Sequence, residues 1–360
     1  MLYIFAFFST LVVTFLATLV VRRLAWRLKI VDQPGGARKI HRQPVALLGG
    51  VAIFLGLVIV VGYYALFTER LFIGAIEPKH LLGVLAALSL IVIGGVLDDV
   101  YHLSPRQQIV WPLIATLIVI ASGIGVKQIT NPFDGVIDLT RYQTLLFWWQ
   151  GLPYYLVWLA DLLTFVWLMG MSYTTKLLDG LDGLVAGLLF IGAVMIFLLT
   201  TVTKFFQPDV ALLATIVAGV ALGFLFWNFY PARVFLGESG SIMAGFLLGL
   251  LAIISGGKIA TALLVIGIPA LDAAWVILRR LFWERRSPAQ ADAKHLHFRL
   301  LSVGFTQRQA VLLLYSIAAV FGATTLILQS FGKLLALGVL AAVMLLLVIF
   351  IFYRYRRRNA

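Results

Sequence analysis

The sequence contains no cysteine and little charge: only 12% of its 360 residues are Asp, Glu, Lys or Arg. Without cysteine the chain can form no disulfide bond, no thiolate metal site and no cysteine nucleophile. A soluble domain usually has about 25% charged residues, whereas this chain is 62% hydrophobic, with a mean hydropathy of +1.03. The composition therefore argues against a soluble protein and predicts an all-α polytopic membrane protein.

Eleven apolar runs are long enough, or nearly long enough, to cross a bilayer as helices, since about 20 residues span the hydrocarbon. The predicted spans are 2–21, 45–67, 80–97, 108–123, 152–170, 183–202, 208–228, 241–256, 259–278, 310–328 and 333–353. No basic segment precedes the first run, and Arg22 and Arg23 follow it, so we expect a retained span rather than a cleaved signal peptide. No internal repeat is evident, which disfavours a repeat-built transporter.

Basic residues are divided unevenly between the two sets of links. The links after spans 1, 3, 5, 7 and 9, together with the C-terminal tail, hold 21 of the 28 Lys and Arg residues. This bias predicts that these links are cytoplasmic, that the N-terminus lies outside and that the C-terminus is cytoplasmic. The net charge of +13 then indicates contact with membrane lipids and no nucleic acid. We expect one integral-membrane domain, residues 1–360, with cytoplasmic loops 22–44, 98–107, 171–182, 229–240 and 279–309.

Acidic residues are scarce, and five of the fifteen lie in three short motifs at the ends of apolar runs. The motifs are Asp98-Asp99, Asp179-Gly-Leu-Asp182-Gly and Gly-Glu238-Ser-Gly-Ser. The topology puts all three on one side of the membrane, where a carboxylate is unfavourable unless it is paired or used. Neighbouring carboxylates such as the first pair favour a bound cation or a shared proton, the alternative being two solvated loop acids.

The second and third motifs suit phosphate chemistry. Asp179 and Asp182 would share one helix face, and their flanking glycines admit a ligand close to the backbone, the alternative being a turn and a helix cap. Glu238, Ser239 and Ser241 precede a span, where free N–H groups suit a phosphate and a carboxylate suits Mg²⁺, the alternative being a serine cap. Phosphate, Mg²⁺ and several carboxylates together indicate phosphoryl transfer.

Cationic residues lie in two of the cytoplasmic loops. His295 and His297 could coordinate a metal, neutralise a diphosphate or shuttle a proton, or they could be interfacial residues of a basic loop. Two histidines without cysteine make a poor Zn²⁺ site. The basic segment around Lys39 and His41 could contact either a lipid headgroup or an anionic substrate.

Two further acids lie within predicted spans, where an ionisable side chain is a functional candidate. Asp272 lies near the cytoplasmic end of span 9 and could reach the same site. Asp161 lies in the middle of span 5, far from the three motifs, and we expect it to pair with a Ser, Thr or Tyr side chain of a neighbouring span.

These motifs together resemble the polyprenyl-phosphate N-acetylhexosamine-1-phosphate transferases over the whole chain. The initiating N-acetylglucosamine-1-phosphate branch is favoured over the peptidoglycan translocase, because the translocase has three consecutive histidines in the last loop. The segments that carry the resemblance are Lys29-Ile-Val-Asp32-Gln-Pro34, Arg38-Lys39-Ile-His41, Leu48-Gly49-Gly50, Leu97-Asp98-Asp99, Leu103-Ser104-Pro105, Leu178-Asp179-Gly-Leu-Asp182-Gly-Leu184, Trp227-Asn228, Pro231-Ala-Arg233-Val-Phe235-Leu-Gly237-Glu238-Ser239-Gly240-Ser241 and Ala291-Asp292-Ala-Lys294-His295-Leu-His297.

The resemblance implies a reaction on the cytoplasmic face of the bacterial cytoplasmic membrane. A lipid phosphate oxygen attacks the β-phosphorus of a UDP-N-acetylhexosamine, UMP is released, and a cell-envelope glycan is initiated. The implied cofactor is Mg²⁺, with Mn²⁺ as the alternative. The implied partners are the UDP-sugar, undecaprenyl or another polyprenyl phosphate, membrane lipids and a second copy of the chain in a homodimer.

The resemblance also assigns roles to individual residues. The expected catalytic residues are Asp98, Asp99, Asp179, Asp182, His295 and His297. The expected metal ligands are Glu238, Asp182 and Asp98. The expected substrate-binding residues are Lys39, His41, Lys176, Asn228, Arg233, Phe235, Ser239, Ser241, Lys294 and Arg299, with Phe235 placed to stack on uracil.

The chain departs from the family pattern at four positions. Tyr173 and Lys176 replace two asparagines before the second motif, Glu238 replaces an aspartate, and Phe298 replaces a histidine. These changes indicate a divergent donor, altered metal geometry or lost activity. The alternatives to the transferase are therefore a polytopic lipid or solute transporter and a catalytically silent relative.

Overall fold

Helices account for most of the computed structural model, which describes residues 1–35, 41, 43–131, 135–149, 152–202, 206–284 and 295–359. The α-helices within these residues are α1 Leu2–Arg27, α2 Gly49–Phe67, α3 Pro78–Tyr101, α4 Pro105–Gln108, α5 Val110–Ala121, α6 Trp158–Leu178, α7 Leu184–Val202, α8 Pro208–Asn228, α9 Gly237–Ile254, α10 Ile259–Arg279, α11 Leu296–Ser302, α12 Gln307–Ile327 and α13 Ser330–Asn359. A π-helical turn, Arg280–Glu284, continues α10.

Nine helices of the described part are long and apolar enough to cross a membrane. They are α1, α2, α3, α7, α8, α9, α10, α12 and α13, and each falls on a predicted span. The predicted class, an all-α polytopic membrane protein, is therefore confirmed. The total of eleven spans and the orientation of the chain remain predictions.

The other two predicted spans, 108–123 and 152–170, differ from the helices found there. Helix α5 has 12 residues, which extend about 18 Å at 1.5 Å per residue, whereas the hydrocarbon core is about 30 Å thick. Helix α6 has 21 residues but carries Asp161 and Lys176, which make it less apolar than the nine.

The first six residues of the predicted span 152–170 form a strand. Strand β6, Leu152–Val157, pairs antiparallel with β5, Gln143–Trp149. Its two tyrosines and its valine are residue types that favour strands. Helix α6 begins only at Trp158, so Asp161 lies in its first turn and accepts a hydrogen bond from the backbone N–H of Val157 at 2.8 Å. The partner found for Oδ2 is thus the backbone, and the predicted pairing of Asp161 with a hydroxyl of a neighbouring span remains a prediction.

Two shorter antiparallel ladders occur elsewhere in the described residues. Strand β1, Val31–Asp32, pairs with β2, Val45–Ala46, and β3, Gln128–Thr130, pairs with β4, Val136–Asp138. The backbone N–H of Phe235 donates to the carbonyl of Ala46 at 2.8 Å. The first predicted cytoplasmic loop is thereby fixed beside the segment that precedes α9.

The core of the bundle is built on α8 and α9, and in the most apolar part of each, 83% of the residues are buried. Helix α8 packs between α1 and α7, whereas α9 packs against α6 and α3. Because α9 begins at Gly237, the third acidic motif lies at the start of the central helix.

Two glycines allow α2 and α3 to approach the start of α9. A Cβ atom on Gly50 would overlap the backbone of Gly240, and a Cβ atom on Gly95 would overlap the backbone of Ser239. A larger residue at either position would therefore displace α9. This close contact fixes the end of α3, with its acid pair, next to the third motif.

We expect the substitution Gly95→Ala to lower the free energy of unfolding by about 1–3 kcal/mol, as overpacked cores usually do. Thermal unfolding in detergent, followed by circular dichroism, measures the change. The matched control is Gly62→Ala, also within a helix, because a Cβ atom there meets nothing within 4 Å. Equal unfolding temperatures for the two variants would contradict the predicted contact.

Candidate active site

The three acidic motifs converge at one end of the bundle. Asp98 and Asp99 lie in the last turn of α3, Asp179 directly follows α6, and Glu238 lies in the first turn of α9. The backbone N–H of Glu238 donates to Oδ1 of Asp99 at 3.0 Å. Asp179 in turn experiences the negative charges of Glu238, Asp182 and Asp99. Motifs separated by up to 140 residues in the sequence thus form one acidic cluster.

Asp99 holds the start of α9. Its carboxylate accepts from the first turn of that helix, where the helix dipole stabilises a negative charge. Gly237 makes this contact possible, because its φ is +70° and a Cβ atom there would overlap the Asp99 carboxylate. The second oxygen, Oδ2, is buried and has no hydrogen-bond partner among the described residues. One oxygen of Asp99 therefore orders the start of α9, while the other is left without a hydrogen bond in the described part of the chain.

Lys176 connects Glu238 to Asp98 through a glutamine. Its Nζ forms an ion pair with Oε1 of Glu238 and donates to Oε1 of Gln108 at 2.8 Å. Nε2 of Gln108 then donates to Oδ1 of Asp98 at 2.8 Å. The side chains of Lys176 and Glu238 are only 21% and 15% exposed. A largely shielded ammonium group therefore lies among the acids of the cluster.

Gln108 was not predicted from the sequence. It ends α4, which begins after Ser104 with Pro105 in its first turn, and the backbone N–H of Ser104 donates to Oε1 of Gln107 at 2.9 Å. The Leu-Ser-Pro motif thus starts a short helix whose last residue reaches back to Asp98. A single glutamine forms no recognisable sequence motif. The only signal for its role was its position one turn after Ser104-Pro105, which is a typical helix start.

Asn228 connects the second motif to the segment before α9. Its Oδ1 accepts from the backbone N–H of Gly183 at 3.1 Å, and its Nδ2 donates to the carbonyl of Val234 at 3.0 Å. Nearby, the backbone N–H of Ala232 donates to Oδ2 of Asp182 at 2.9 Å. The Asn228 amide, predicted to bind substrate, has internal partners for both polar atoms and orders the loop that carries Asp182.

The surroundings raise the pKa of both acids of the second motif. The protein around Asp179 and the like charges of Glu238, Asp182 and Asp99 raise its pKa, although part of the side chain faces solvent. Burial also raises the pKa of Asp182, opposed by hydrogen bonds from Ala232 and Gln307. A raised pKa favours the protonated carboxyl, so a nearby positive charge favours ionisation of either acid.

His41 and Phe235 lie together beside the acidic cluster. Their ring centroids are 5.2 Å apart, with an interplanar angle of 67°. Nε2 of His41 lies 3.5 Å from Oδ2 of Asp32, and His41 also acts electrostatically on Asp182. These two predicted substrate-binding residues are thus brought to the same place, although the sequence separates them by almost 200 positions.

Asp272 of α10 orients the histidine segment. Its Oδ2 lies 2.8 Å from Nδ1 of His295, and its Oδ1 accepts from the backbone N–H of Leu296 at 3.0 Å. The rings of His295 and His297 are buried and stack 5.6 Å apart, at 6°. His297 lies directly against Gly180 of the second motif. The histidines therefore adjoin the acidic cluster, and Asp272 reaches it through them.

Both predicted serines are buried, and Oγ of Ser239 has no hydrogen-bond partner among the described residues. Ser239 is fully buried against Gly50 and Gly95. Oγ of Ser241 donates to the carbonyl of Glu238 at 3.1 Å. Both serines thus serve the packing and the first turn of α9 in this structure.

The remaining predicted substrate-binding residues are cationic and differ in their exposure to solvent. Arg233 is exposed, and Arg299 is half-buried in α11. Lys39 and Lys294 lie outside the described residues.

The predicted metal ligands do not form a three-ligand site in this structure. Glu238 is paired with Lys176, and one oxygen each of Asp98 and Asp182 accepts a hydrogen bond from Gln108 or from the backbone of Ala232. Among the described residues, no group of three or more His, Asp or Glu side chains could hold a metal ion. Mg²⁺ is commonly held by only one or two carboxylates together with substrate phosphates, so its coordination by these residues remains a prediction.

Comparison with known proteins identifies the family. A probable undecaprenyl-phosphate N-acetylglucosaminyl 1-phosphate transferase of Bacillus subtilis (strain 168) is 30% identical over 332 residues, which cover 90% of this chain and 84% of that protein. The model of glycosyl transferase family 4 matches residues 81–256. The chain belongs to this family. A decaprenyl-phosphate N-acetylglucosaminephosphotransferase of Mycolicibacterium smegmatis is also 30% identical, over 89% of this chain and 81% of that protein.

Membership of glycosyl transferase family 4 confirms the resemblance to the polyprenyl-phosphate N-acetylglucosamine-1-phosphate transferases that the motifs predicted. The region matched by the family model contains all three acidic motifs and ends before the histidine segment. The evidence that Asp272 and His295 adjoin the site of this family 4 protein therefore comes from the geometry of the structure and not from the match to the family model.

We expect His297 to remain neutral at a pH at which an ordinary histidine, with a pKa of about 6.5, is already protonated. Burial and the neighbouring His295 lower the pKa of His297 to about 4. Because the folded pKa lies below the unfolded one, protonation favours unfolding, and stability should fall as the pH drops from ~6.5 towards 4. NMR of histidine-labelled protein, which has five histidines, measures the titration, and the His297→Gln variant assigns the signal. A His297 signal that titrates near pH 6.5 would contradict the predicted burial.

Proposed function

We propose that this protein transfers N-acetylglucosamine 1-phosphate from UDP-N-acetylglucosamine to undecaprenyl phosphate or another polyprenyl phosphate. The observation that carries the proposal is the convergence of Asp98, Asp99, Asp179, Asp182 and Glu238 at one end of an apolar helix bundle. The names of the relatives support the lipid acceptor and the sugar phosphate.

In the proposed reaction an oxygen of the polyprenyl phosphate attacks the β-phosphorus of the UDP-sugar. The bond between that phosphorus and the oxygen bridging to the α-phosphate breaks, and UMP leaves with the bridging oxygen. The product is a polyprenyl diphosphate that carries the sugar. Both substrates are anions, so the protein has to hold them together in line and offset their repulsion.

Individual residues suit different parts of this task. The free Oδ2 of Asp99 can accept a hydrogen bond or a proton from the acceptor phosphate, and Gln108 keeps Asp98 beside it. The raised pKa of Asp179 suits a carboxyl that shares a proton with a phosphate oxygen. Lys176 supplies positive charge next to these acids. The ring of Phe235, half-buried against His41, is suited to stack on uracil.

The proposed location is the cytoplasmic face of a bacterial cytoplasmic membrane. The uneven distribution of Lys and Arg supports this orientation, since 21 of 28 lie on the predicted cytoplasmic side. UDP-sugars are cytoplasmic substrates, so an active site on this face has direct access to the donor. The homodimer remains a prediction.

A requirement for Mg²⁺ also remains a prediction from the family resemblance. In this structure Glu238, one of the predicted ligands, is paired with Lys176. We therefore assign no step of the proposed reaction to a metal ion.

We expect detergent-purified protein to release UMP when given undecaprenyl phosphate, radiolabelled UDP-N-acetylglucosamine and Mg²⁺. The products are UMP and a lipid-extractable labelled diphosphate, both measured by chromatography. The control reaction omits the lipid phosphate. Absence of UMP release with every UDP-N-acetylhexosamine tested would reject the transferase in favour of a catalytically silent relative.

We expect Asp99→Asn and Asp182→Asn to reduce turnover at least about 100-fold, the usual effect of removing a group from the transition-state environment. The matched control is Asp138→Asn, because Asp138 is exposed on a hairpin away from the cluster. Turnover is measured as UMP release at saturating substrates. A near-normal rate for either variant would remove that aspartate from the catalytic residues.

A further inference from the structure

Lys176 forms an ion pair with the carboxylate of Glu238, which is a predicted metal ligand. Its ammonium forms the ion pair with Glu238 and also donates to Gln108, which holds Asp98. The ammonium thus bridges the acid of α9 and an acid of α3. This arrangement satisfies the two carboxylates with groups of the protein itself.

The surroundings make this pair different from an ordinary surface ion pair. Lys79 and Glu77 also form an ion pair, with a nitrogen–oxygen distance of 3.0 Å, but their side chains are 51% and 56% exposed. The Lys176 and Glu238 side chains are 21% and 15% exposed. Charges that are shielded from water interact more strongly. Removal of the Lys176 charge should therefore change the electrostatic energy of every charged group nearby.

A cation that approaches Glu238 meets two obstacles. It has to displace the ammonium from the carboxylate, and it experiences repulsion from the same positive charge at close range. Neutralising Lys176 removes both obstacles and leaves Glu238, Asp98 and Asp99 as a cluster without its cation. Such a cluster would bind a divalent metal more tightly.

We propose that Lys176 is the resident cation of the acidic cluster and keeps divalent metal away from Glu238 in the substrate-free protein. The inference deepens the proposed function, because a lysine that has to leave Glu238 before a metal can bind would set the metal requirement of the transferase. The binding equilibrium itself is independent of the reaction. Lys176 acts here as a positioning residue for the cluster.

The test is a titration of the substrate-free, detergent-purified protein with Mn²⁺, in which free Mn²⁺ is measured by electron paramagnetic resonance. We expect Lys176→Met to bind Mn²⁺ at least roughly tenfold more tightly than the unchanged protein, since one shielded positive charge is removed. The added substitution Glu238→Gln should abolish this gain. The matched control Lys79→Met should bind as the unchanged protein does.

Equal Mn²⁺ affinity of the unchanged protein and Lys176→Met would overturn the proposal, as would a gain that survives Glu238→Gln. Size-exclusion chromatography and circular dichroism show whether the variants fold. If Lys176→Met does not fold, Lys176→Gln removes the charge while keeping a hydrogen-bonding group, and the same tenfold gain is expected. Since no substrate is present, absence of UMP release would reject the proposed function and leave this result unaffected.

Discussion

The ion pair between Lys176 and Glu238 is the interaction on which the arrangement of the site depends. Five carboxyl groups gathered next to an apolar bundle repel one another, and their ionisation is unfavourable without a cation. The ammonium offsets this repulsion from within the chain, and Gln108 extends its influence to Asp98. Asp99 is stabilised differently, by the backbone of Glu238 at the start of α9. Glu238 thus takes part in both contacts: its side chain pairs with Lys176, and its backbone N–H donates to Asp99.

This arrangement requires that three helices meet without intervening side chains. Gly50 of α2 and Gly95 of α3 contact the backbone at the start of α9, and Gly237 leaves room for the Asp99 carboxylate. The apolar packing of α9 against α3 and α6 then sets the positions of charged groups from different parts of the chain. The packing of the membrane helices and the chemistry of the cluster are therefore linked, because a shift of α9 would move Glu238 away from both Lys176 and Asp99.

Hydropathy was sufficient to predict the fold class and nine long apolar helices, since long apolar runs have few alternatives to a helix in a membrane. It failed at residues 152–157, because aromatic and β-branched residues suit a strand as well as the start of a span. The convergence of the acidic motifs could be predicted from their composition and from their predicted position on one side of the membrane. Gln108 could not, because its role arises from the distance between side chains of α4 and α6 that no sequence pattern encodes. The pairing of Lys176 with Glu238 escaped for the same reason, although both positions stood out as departures from the family pattern.

The role of this ion pair is tested most directly by the distance between Nζ of Lys176 and the side-chain carboxylate of Glu238 in the substrate-free protein in lipid bilayers. Solid-state NMR on protein labelled with ¹⁵N at lysine and ¹³C at glutamate measures it, with Lys176→Met as the control that removes the signal. We expect ion-pair contact, with nitrogen and oxygen within about 4 Å. A separation beyond about 7 Å, where a water molecule or another ion could lie between the two charges, would contradict it.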